Sequence, residues 1–434
     1  MLSFSRLRGD IFWILDQLKG GPIKQHYLEI QNLLNNPLNH QSVDVRAQNL
    51  SKLLEHAVKT TAFYKSNSGY NSLQDFPVIN KNVILNNYQD FKSSKFQETK
   101  LYKATSSGST GIPFTILQDD TKRSRNTADA IYFLELAGCT LGEKLFYLKL
   151  WDYKNRKSWL TNRLQNIYAH NVMDSKSKDM QELIKVINKY KHGKNIIGYP
   201  SFFEEFSSYL KGLEKVPEFK NINTIISIAE SIKDEEKETL GKFFNCKVFE
   251  RYSNQENGIL AQQTLSNPNK LSLNWASYYF EVLRVDSNEH VGNGELGRLV
   301  LTDLFNYAMP MIRYDTGDMA VWVKTESGQP YISSVFGRRM DTIFDTNGAI
   351  VSPHVFYMVL DFGEIKQYQF VQIDKNSYLF RLNGNKRKVN EDKIVTYFKK
   401  CLGEDASISF EYVDEIPLLS SGKRKKIVSK YKKS

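Results

Sequence analysis

The chain has 434 residues and a mass of 50.3 kDa, more than one hydrophobic core usually supports, so two domains are expected. Hydrophobic residues make up 41%, charged residues 25%, and the mean hydropathy is −0.46, a balance that argues against wholesale disorder. A net charge of +11 favours anionic partners without choosing among them. The three cysteines are far apart and form no C-x-x-C pair, which favours a reducing cytoplasm over a disulfide framework or a zinc cluster.

The N-terminal segment carries the one apolar cluster that could suggest a membrane. Ile11 to Leu15 is far shorter than the roughly 20 residues that cross a bilayer, and polar residues follow it, so no signal peptide and no stable membrane insertion are expected. Four basic residues flank the cluster: Arg6, Arg8, Lys19 and Lys24. This pattern allows an interfacial helix, but it favours an amphipathic helix packed on the protein.

Residues 1 to about 95 are expected to be mainly helical and to serve packing. After Pro37, Ser42 can cap a helix whose apolar positions recur on one face as far as Ala57. A second helix is predicted over residues 120–138, where Arg123 and Arg125 could face an anion, although a solvent-facing pair is favoured.

The segment Thr105 to Pro113 reads TSSGSTGIP and has the composition of an anion-binding loop. Gly108 and Gly111 can take positive φ, so consecutive N–H groups can converge on an oxyanion while the hydroxyls add donors. It is not a Walker loop, because Ile112-Pro113 follows the last glycine where Lys-Ser/Thr should stand. Composition alone favours a solvated linker, but short predicted strands on both sides favour a phosphate-binding loop inside a domain.

Between residues 144 and 256 predicted strands and helices alternate, as in an open α/β sheet. Carboxylates follow two of these strands, at Ala229-Glu230-Ser231 and at Tyr252-Ser253-Asn254-Gln255-Glu256. Another apolar strand runs into Gly198-Tyr199-Pro200-Ser201, where a helix is expected to begin. Ligands in such sheets bind at the carboxyl ends of the strands, so the two turns with carboxylates are candidates for a site. Taken alone, the Gly198 to Ser201 segment fits a plain strand-to-helix junction equally well.

Taken in order, these segments resemble the motifs of adenylate-forming enzymes, particularly the phenylacetate-CoA ligase family with its capsule-locus (CapK-type) relatives. The resemblance rests on TSSGSTGIP, GYPS, AES and YSNQE, and on three later blocks: RYDTGD at 313–318, GRRMD at 337–341 and PLLSSGK at 417–423. It covers residues 100 to 426 and departs from the family pattern at Ser253 and Gln255. It implies a large N-terminal α/β domain over residues 1–336 and a small mobile C-terminal α+β domain over residues 337–434.

The resemblance also implies roles for individual residues. Catalytic roles fall on Lys423, Arg338 and Glu256. Contacts to ATP fall on Ser106, Ser107, Gly108, Ser109, Thr110, Gly111, Ala229, Glu230, Tyr252, Arg313 and Asp318. Mg²⁺ is assigned to Glu256 and Thr110, the acyl pocket to Gly198, Tyr199, Pro200 and Ser201, and the hinge to Asp341.

The function implied is that of an AMP-forming carboxylate ligase, which uses ATP and Mg²⁺ to make an acyl-adenylate. The acyl group would then pass to coenzyme A or to an amine, the latter in keeping with a role in surface polysaccharide biosynthesis. The sequence identifies neither the acid nor the acceptor. The alternative is a non-catalytic basic module for nucleic acid or acidic polysaccharide, suggested by the net charge and the basic C-terminus. Nucleic acid is disfavoured, because only Tyr431 accompanies that basic run.

Overall fold

The computed structural model describes residues 4–96, 101–106, 114–151, 158–174, 176–229, 231–326, 328, 330–336, 343–351, 353–417 and 425–431. The chain divides into two compact units. The larger comprises Met1–Thr316 with Ala320–Val335, and the smaller comprises Gly317–Met319 with Phe336–Ser434.

The larger unit begins with four helices: α1 (Phe4–Gln17), α2 (Pro22–Asn35), α3 (His40–Thr60) and α4 (Lys81–Asn86). Local sequence sets where they begin. Pro22 occupies the first turn of α2, where its missing N–H costs nothing, and the Asn39 side chain caps α3 by accepting from the Ser42 N–H at 2.7 Å. The helix after Pro37 is thereby confirmed, although Asn39 caps it instead of Ser42.

One face of α1 carries large apolar side chains that are exposed. Phe12 and Trp13 are half-buried, and Trp13 packs on Tyr27 of α2 at 5.5 Å between ring centroids. The exposed side chains in or just after α1 are those of Leu7, Ile11, Ile14, Leu15 and Leu18. The expected amphipathic helix forms and packs on α2 through Trp13, but Ile11, Ile14 and Leu15 of the predicted apolar cluster are not covered. None of the helices in the described ranges has the length and apolarity that a membrane crossing needs.

A hairpin follows the helical region. Strands β1 (Tyr102–Ser106) and β2 (Phe114–Gln118) pair antiparallel, with Ser106 opposite Phe114. The pairing confirms that the Ser/Gly-rich segment connects two strands of a folded domain. Helix α5 (Asp120–Leu136) begins next, capped by Asp119, whose carboxylate accepts from the Lys122 N–H at 3.0 Å.

The central sheet has seven strands in the order β4-β3-β5-β6-β7-β8-β9. They are β3 (Lys144–Lys149), β4 (Ile167–Asn171), β5 (Lys194–Gly198), β6 (Ile222–Ile228), β7 (Lys247–Asn254), β8 (Gly258–Gln262) and β9 (Ser272–Leu273). The first five in sheet order run parallel, and β8 and β9 add antiparallel. Helices alternate with these strands: α6 (Trp159–Leu164), α7 (Ser177–Lys189), α8 (Pro200–Lys211) and α9 (Asp234–Phe244).

Both faces of the parallel strands are buried. Ile196 and Ile225 pack with α7, α8 and α9 on one face, whereas Ile197 and Ile226 pack with the end of α5 on the other. Strands covered on both sides need continuous apolar runs, which is why β5 and β6 contain paired isoleucines. This doubly covered sheet confirms the predicted α/β class.

A second sheet contains β10 (Tyr278–Leu283), β11 (Leu296–Asp303), β12 (Tyr314–Lys324) and β13 (Pro330–Phe336), in that order. Arg125 of α5 is fully buried and donates to the Ala276 carbonyl and to the Ser277 hydroxyl, just before β10. It also pairs with Glu29 of α2 at 2.9 Å. The expectation that Arg125 faces solvent is wrong, because α5 packs against α2 and residues 276–277.

The smaller unit has its own core. It contains β14 (Ile343–Phe344), β15 (Ile350–Val351), β16 (Gly363–Asp374), β17 (Ser377–Val389), α10 (Glu391–Leu402), β18 (Ser407–Tyr412) and β19 (Ile427–Ser429). The main sheet has the order β18-β17-β16-β19. Ile394 and Phe398 of α10 pack against Phe370 and Phe380 of this sheet. The unit is α+β, as the sequence predicts.

Candidate functional site

Ten of the predicted site residues lie outside the described residues or have side chains that are not described there. They are Ser106, Ser107, Gly108, Ser109, Thr110, Gly111, Glu230, Arg338, Asp341 and Lys423. Their roles stay predictions. The geometry of the site comes from the strands that flank the predicted phosphate loop and from the turns at the carboxyl ends of neighbouring strands.

Glu256 lies in the turn between β7 and β8 and is 9% exposed. Its carboxylate Oε1 accepts a hydrogen bond of 3.0 Å from the Tyr314 hydroxyl, at the first residue of β12. Its backbone carbonyl accepts from the Gln118 side chain at 3.0 Å, at the last residue of β2. Two segments distant in sequence therefore fix the position and the direction of this carboxylate.

The strand that leaves the predicted phosphate loop belongs to the same cluster. Phe114, the first described residue after the loop, lies parallel to the Tyr314 ring, with 6.3 Å between centroids and 10° between planes. The Lys81 ammonium lies 5.7 Å from the centroid of the Phe114 ring. The exit of the loop, the Glu256 turn and the start of β12 thus meet at one place.

Glu256 has the chemistry that a magnesium ligand needs, and its assignment to Mg²⁺ stays a prediction. In the described part of the chain no three His, Cys, Asp or Glu side chains come together as a metal cluster, and no Lys, Arg or His pairs with Glu256. A buried carboxylate with a single hydroxyl donor and no cationic partner can accept a hard cation. Mg²⁺ usually takes one or two protein carboxylates and completes its shell with water and phosphate oxygens.

Arg313, predicted to contact the nucleotide, makes extensive contacts within the protein. It is 2% exposed, and its guanidinium holds both carboxylate oxygens of Glu281, at 2.9 and 3.1 Å. It also donates to the carbonyls of Gln74 and Phe76. Its own φ of 51° is unusual for a side-chain-bearing residue, and these bonds hold that conformation. These contacts fix Arg313 in place just before β12, and its contact with the nucleotide stays a prediction.

The TGD segment differs in local structure from its prediction as a turn, because it lies within β12. Gly317 has φ +80°, a value that only glycine takes without strain, so the strand bends immediately before Asp318. Thr316 is anchored by its hydroxyl to the Leu299 carbonyl at 3.0 Å, and Asp315 pairs with Arg298 at 3.0 Å. Asp318 itself is half-buried.

Ala229 directly follows β6 and has φ +74°. An alanine in this region is strained by about 1–3 kcal/mol, and such strain concentrates at functional turns. Tyr252, half-buried in β7, pairs with Ala261 of β8. The adenine-binding roles of both residues stay predictions.

The GYPS segment joins β5 to α8. A Cβ on Gly198 would lie 2.8 Å from the Phe203 ring and 3.1 Å from the Leu148 side chain, so glycine is required where α8 approaches the sheet. Pro200 and Ser201 are buried in the first turn of α8. Tyr199 is half-buried and packs in the same hydrophobic cluster as Ala229. The predicted acyl and adenine turns are thus neighbours at one edge of the sheet.

We expect Gly198→Ala to destabilise the protein by about 1–3 kcal/mol, because the added methyl group overpacks the junction of α8 with the sheet. Urea unfolding followed by circular dichroism measures this change. Gly69→Ala is the matched control, because its Cβ would meet nothing within 4 Å and its φ is not positive, so its stability should stay close to that of wild type. A Gly198→Ala protein as stable as wild type would contradict the packing role.

Sequence reasoning missed two side chains that organise this site. Tyr314 stood inside a predicted motif without a role, and Gln118 carried no signal at all. Their contacts with Glu256 join residues 58 and 138 positions apart, so no local pattern reports them. These side chains come together only where elements of three different sheets pack against one another.

The fold is that of the adenylate-forming CoA ligases. The chain matches the structure of 2-hydroxyisobutyryl-CoA ligase in the postadenylation state in complex with R3-HIB-AMP, with a TM-score of 0.71 and 15% identity over 90% of each chain. It also matches a benzoate CoA ligase from Burkholderia xenovorans, with a TM-score of 0.54 and 12% identity over 76% of this chain and 69% of the other.

Sequence comparison points to one branch of proteins with this fold. Residues 343–430 match the family of the CapK C-terminal domain. The chain is 24% identical to Protein CapK of Staphylococcus aureus, over 98% of its own length and 96% of that protein. The predicted resemblance to adenylate-forming enzymes and to CapK-type proteins is confirmed.

Proposed function

We propose that the protein is an AMP-forming carboxylate ligase. ATP and a carboxylic acid would react to give an acyl-adenylate and pyrophosphate, and the acyl group would then move to an acceptor. The observation that carries the proposal is the convergence on Glu256 of β2, which leaves the predicted phosphate loop, and β12, which bears Asp318. The shared fold with CoA ligases supports the same reaction class.

The chemistry requires two anions, a carboxylate and a triphosphate, to approach each other. Backbone N–H groups and hydroxyls of residues 106–111 would bind phosphate oxygens, and Lys423 would add a cation near the reacting phosphorus. Glu256, held by Tyr314, and Thr110 would bind Mg²⁺, which supplies further positive charge when bound. The protein thereby lowers the electrostatic barrier while taking no covalent part.

The remaining residues would position the two substrates. Asp318 would accept hydrogen bonds from the two ribose hydroxyls. Tyr252 would stack on the adenine beside Ala229 and Glu230. Arg338 approaches the nucleotide, Asp341 serves as the hinge of the C-terminal domain, and Gly198 to Ser201 border the acyl group. This division assigns nucleotide and acid to residues 1–336 and the catalytic lysine to residues 337–434.

The acceptor we propose is coenzyme A or an amine, the latter on a sugar of a surface polysaccharide made from the cytoplasm. A ligase of the same fold has been solved with 2-HIB-AMP and CoA in the thioesterification state, at 16% identity and a TM-score of 0.60. That structure supports the thiol of coenzyme A as the acceptor. The similarity to Protein CapK supports the CapK-type branch and leaves both acceptors open.

Exchange of radiolabelled pyrophosphate into ATP tests the adenylation step without knowledge of the acceptor. We expect labelled ATP only when the protein, Mg²⁺ and a suitable member of a pool of carboxylic acids are all present. Omission of the acid pool is the control. If no acid supports exchange, the proposal fails and the non-catalytic basic module becomes the better account.

Asp318→Ala should raise the KM for ATP, because two hydrogen bonds to a charged acceptor are lost. Each is worth about 1.5–3 kcal/mol, which is roughly tenfold to hundredfold in affinity. The matched substrate is 2′,3′-dideoxy-ATP, which lacks the two ribose hydroxyls and therefore cannot donate the same hydrogen bonds. Wild type should discriminate strongly against it, and the variant should discriminate little. Equal discrimination by both proteins would refute the ribose contact.

A further inference from the structure

Arg251, in the middle of β7, is a buried arginine that has no ionic partner among the described residues. It is 9% exposed, and its Nε donates to the Gln262 side chain at 2.5 Å on the neighbouring strand β8. Its Nη2 is buried and has no hydrogen-bond partner. In the described part of the chain, no Asp or Glu lies within ion-pair distance of its guanidinium.

Other buried arginines of the protein are satisfied. Arg125, Arg298 and Arg313 each have a carboxylate oxygen at 2.9–3.0 Å, on Glu29, Asp315 and Glu281 respectively. A buried charge without a counter-ion is costly, and proteins normally pair such groups or leave them out. Burial accordingly lowers the pKa of Arg251 to about 10, although the guanidinium stays protonated at neutral pH. Arg251 is therefore an exception that a bound anion would resolve.

The position of Arg251 relates it to the predicted acyl pocket. Its register partner on β6 is Ile228, the residue before the strained Ala229. The ionisable groups that face its guanidinium are Tyr147 and Cys139. Both belong to the hydrophobic cluster between α5 and the sheet, which also contains Tyr199 and Ala229. The unpaired cation thus lies in the layer where Tyr199 is predicted to border the acyl group.

We propose that Arg251 binds a second carboxylate on the acid substrate, so that the preferred acids are dicarboxylates. This inference rests on the proposed function. A guanidinium fork matches the two oxygens of a carboxylate, and such a bond in a buried site is stronger than in water. The apolar cluster around it suits the methylene chain between the two acid groups. One carboxylate is adenylated while the other neutralises Arg251.

The competing explanation is purely structural, with the guanidinium serving only to link β7 to β8 through Gln262. The two explanations differ in what Arg251→Met should do. A structural link predicts equal losses with all acids. A binding residue predicts a change in preference between acids that differ only in their second charge, with no loss of stability in the absence of ligand, since an uncompensated buried charge has been removed.

The experiment measures kcat/KM for pyrophosphate exchange with straight-chain diacids from malonate to adipate and with their monomethyl esters. Each ester keeps the chain and removes one charge. For the best diacid, we expect wild type to favour the diacid over its ester by about a hundredfold, and Arg251→Met to bring this ratio close to one. Arg46→Met is the matched control, because Arg46 is also desolvated without a described carboxylate partner but lies in α3. It should keep the wild-type ratio.

A wild-type ratio near one for every diacid would overturn the proposal, as would a high ratio that Arg251→Met leaves unchanged. A thermal-unfolding measurement without ATP separates this failure from failure of the proposed function. The best diacid should raise the midpoint of wild type and leave that of Arg251→Met in place. A shift with a diacid but no exchange with any acid would refute the ligase function and retain the anion site. Exchange with monoacids alone, and no shift with any diacid, would refute the anion site and retain the ligase function.

Discussion

Glu256→Gln should lower the rate of adenylation by about a hundredfold to a thousandfold while leaving the unfolding midpoint close to that of wild type. The amide keeps an oxygen for the Tyr314 hydroxyl and nearly the same volume, so the turn between β7 and β8 is retained. It loses the negative charge that would bind Mg²⁺ beside the phosphates. Removal of one electrostatic contribution at a reacting centre costs this much in other enzymes. Pyrophosphate exchange at several Mg²⁺ concentrations measures the effect.

Two further variants separate charge from position. Tyr314→Phe removes only the hydroxyl that orients the carboxylate, so we expect a smaller loss of rate and a higher Mg²⁺ requirement. Glu289→Gln removes an exposed carboxylate elsewhere and should behave as wild type. An unchanged rate and an unchanged Mg²⁺ dependence in Glu256→Gln would show that the metal assignment is wrong.

Lys423→Ala should block formation of the acyl-adenylate and spare transfer from a presynthesised adenylate to the acceptor. A cation at the reacting phosphate is needed only while two anions are being joined. The neighbouring basic residues 424–426 should not rescue the variant, since each is displaced along the chain. A pair of single-turnover assays, one from ATP and acid and one from the adenylate, measures the two steps.

Lys425→Ala is the control, because it removes one positive charge from the same basic segment. It should retain both half-reactions. Equal loss in both assays for Lys423→Ala would make Lys423 a general structural or binding residue. No loss in either assay would return it to a solvated basic tail.

The sequence predicted the fold because local patterns and their order agree with one another. Paired isoleucines in β5 and β6 indicate a sheet that is covered on both faces. The bounds of α9 match the predicted helix from Asp234 to Phe244. Candidate site residues were predictable where they follow a strand, since parallel strands place their carboxyl ends at one edge. Ala229 and Tyr199 follow the adjacent strands β6 and β5, and both side chains belong to one hydrophobic cluster.

Side-chain pairing between elements distant in sequence was beyond sequence reasoning. Arg313 is assigned to the nucleotide by its motif, a role that stays a prediction, but its bidentate pair with Glu281, 32 residues away, could not be read from that motif. Arg125 was expected to face solvent with Arg123 at the start of its helix, but it is buried against Glu29 and Ser277. Such pairs depend on which elements pack together, and neither periodicity nor spacing encodes that.

The most direct test of the central claim is to follow oxygen-18 from the carboxylate of the acid into the products of a complete turnover. Adenylation joins a carboxylate oxygen to the α-phosphorus of ATP, and acyl transfer then leaves that oxygen on AMP. We expect AMP with one labelled oxygen, and unlabelled pyrophosphate, by mass spectrometry. Unlabelled AMP, or label in inorganic phosphate with ADP as the other product, would contradict an acyl-adenylate mechanism.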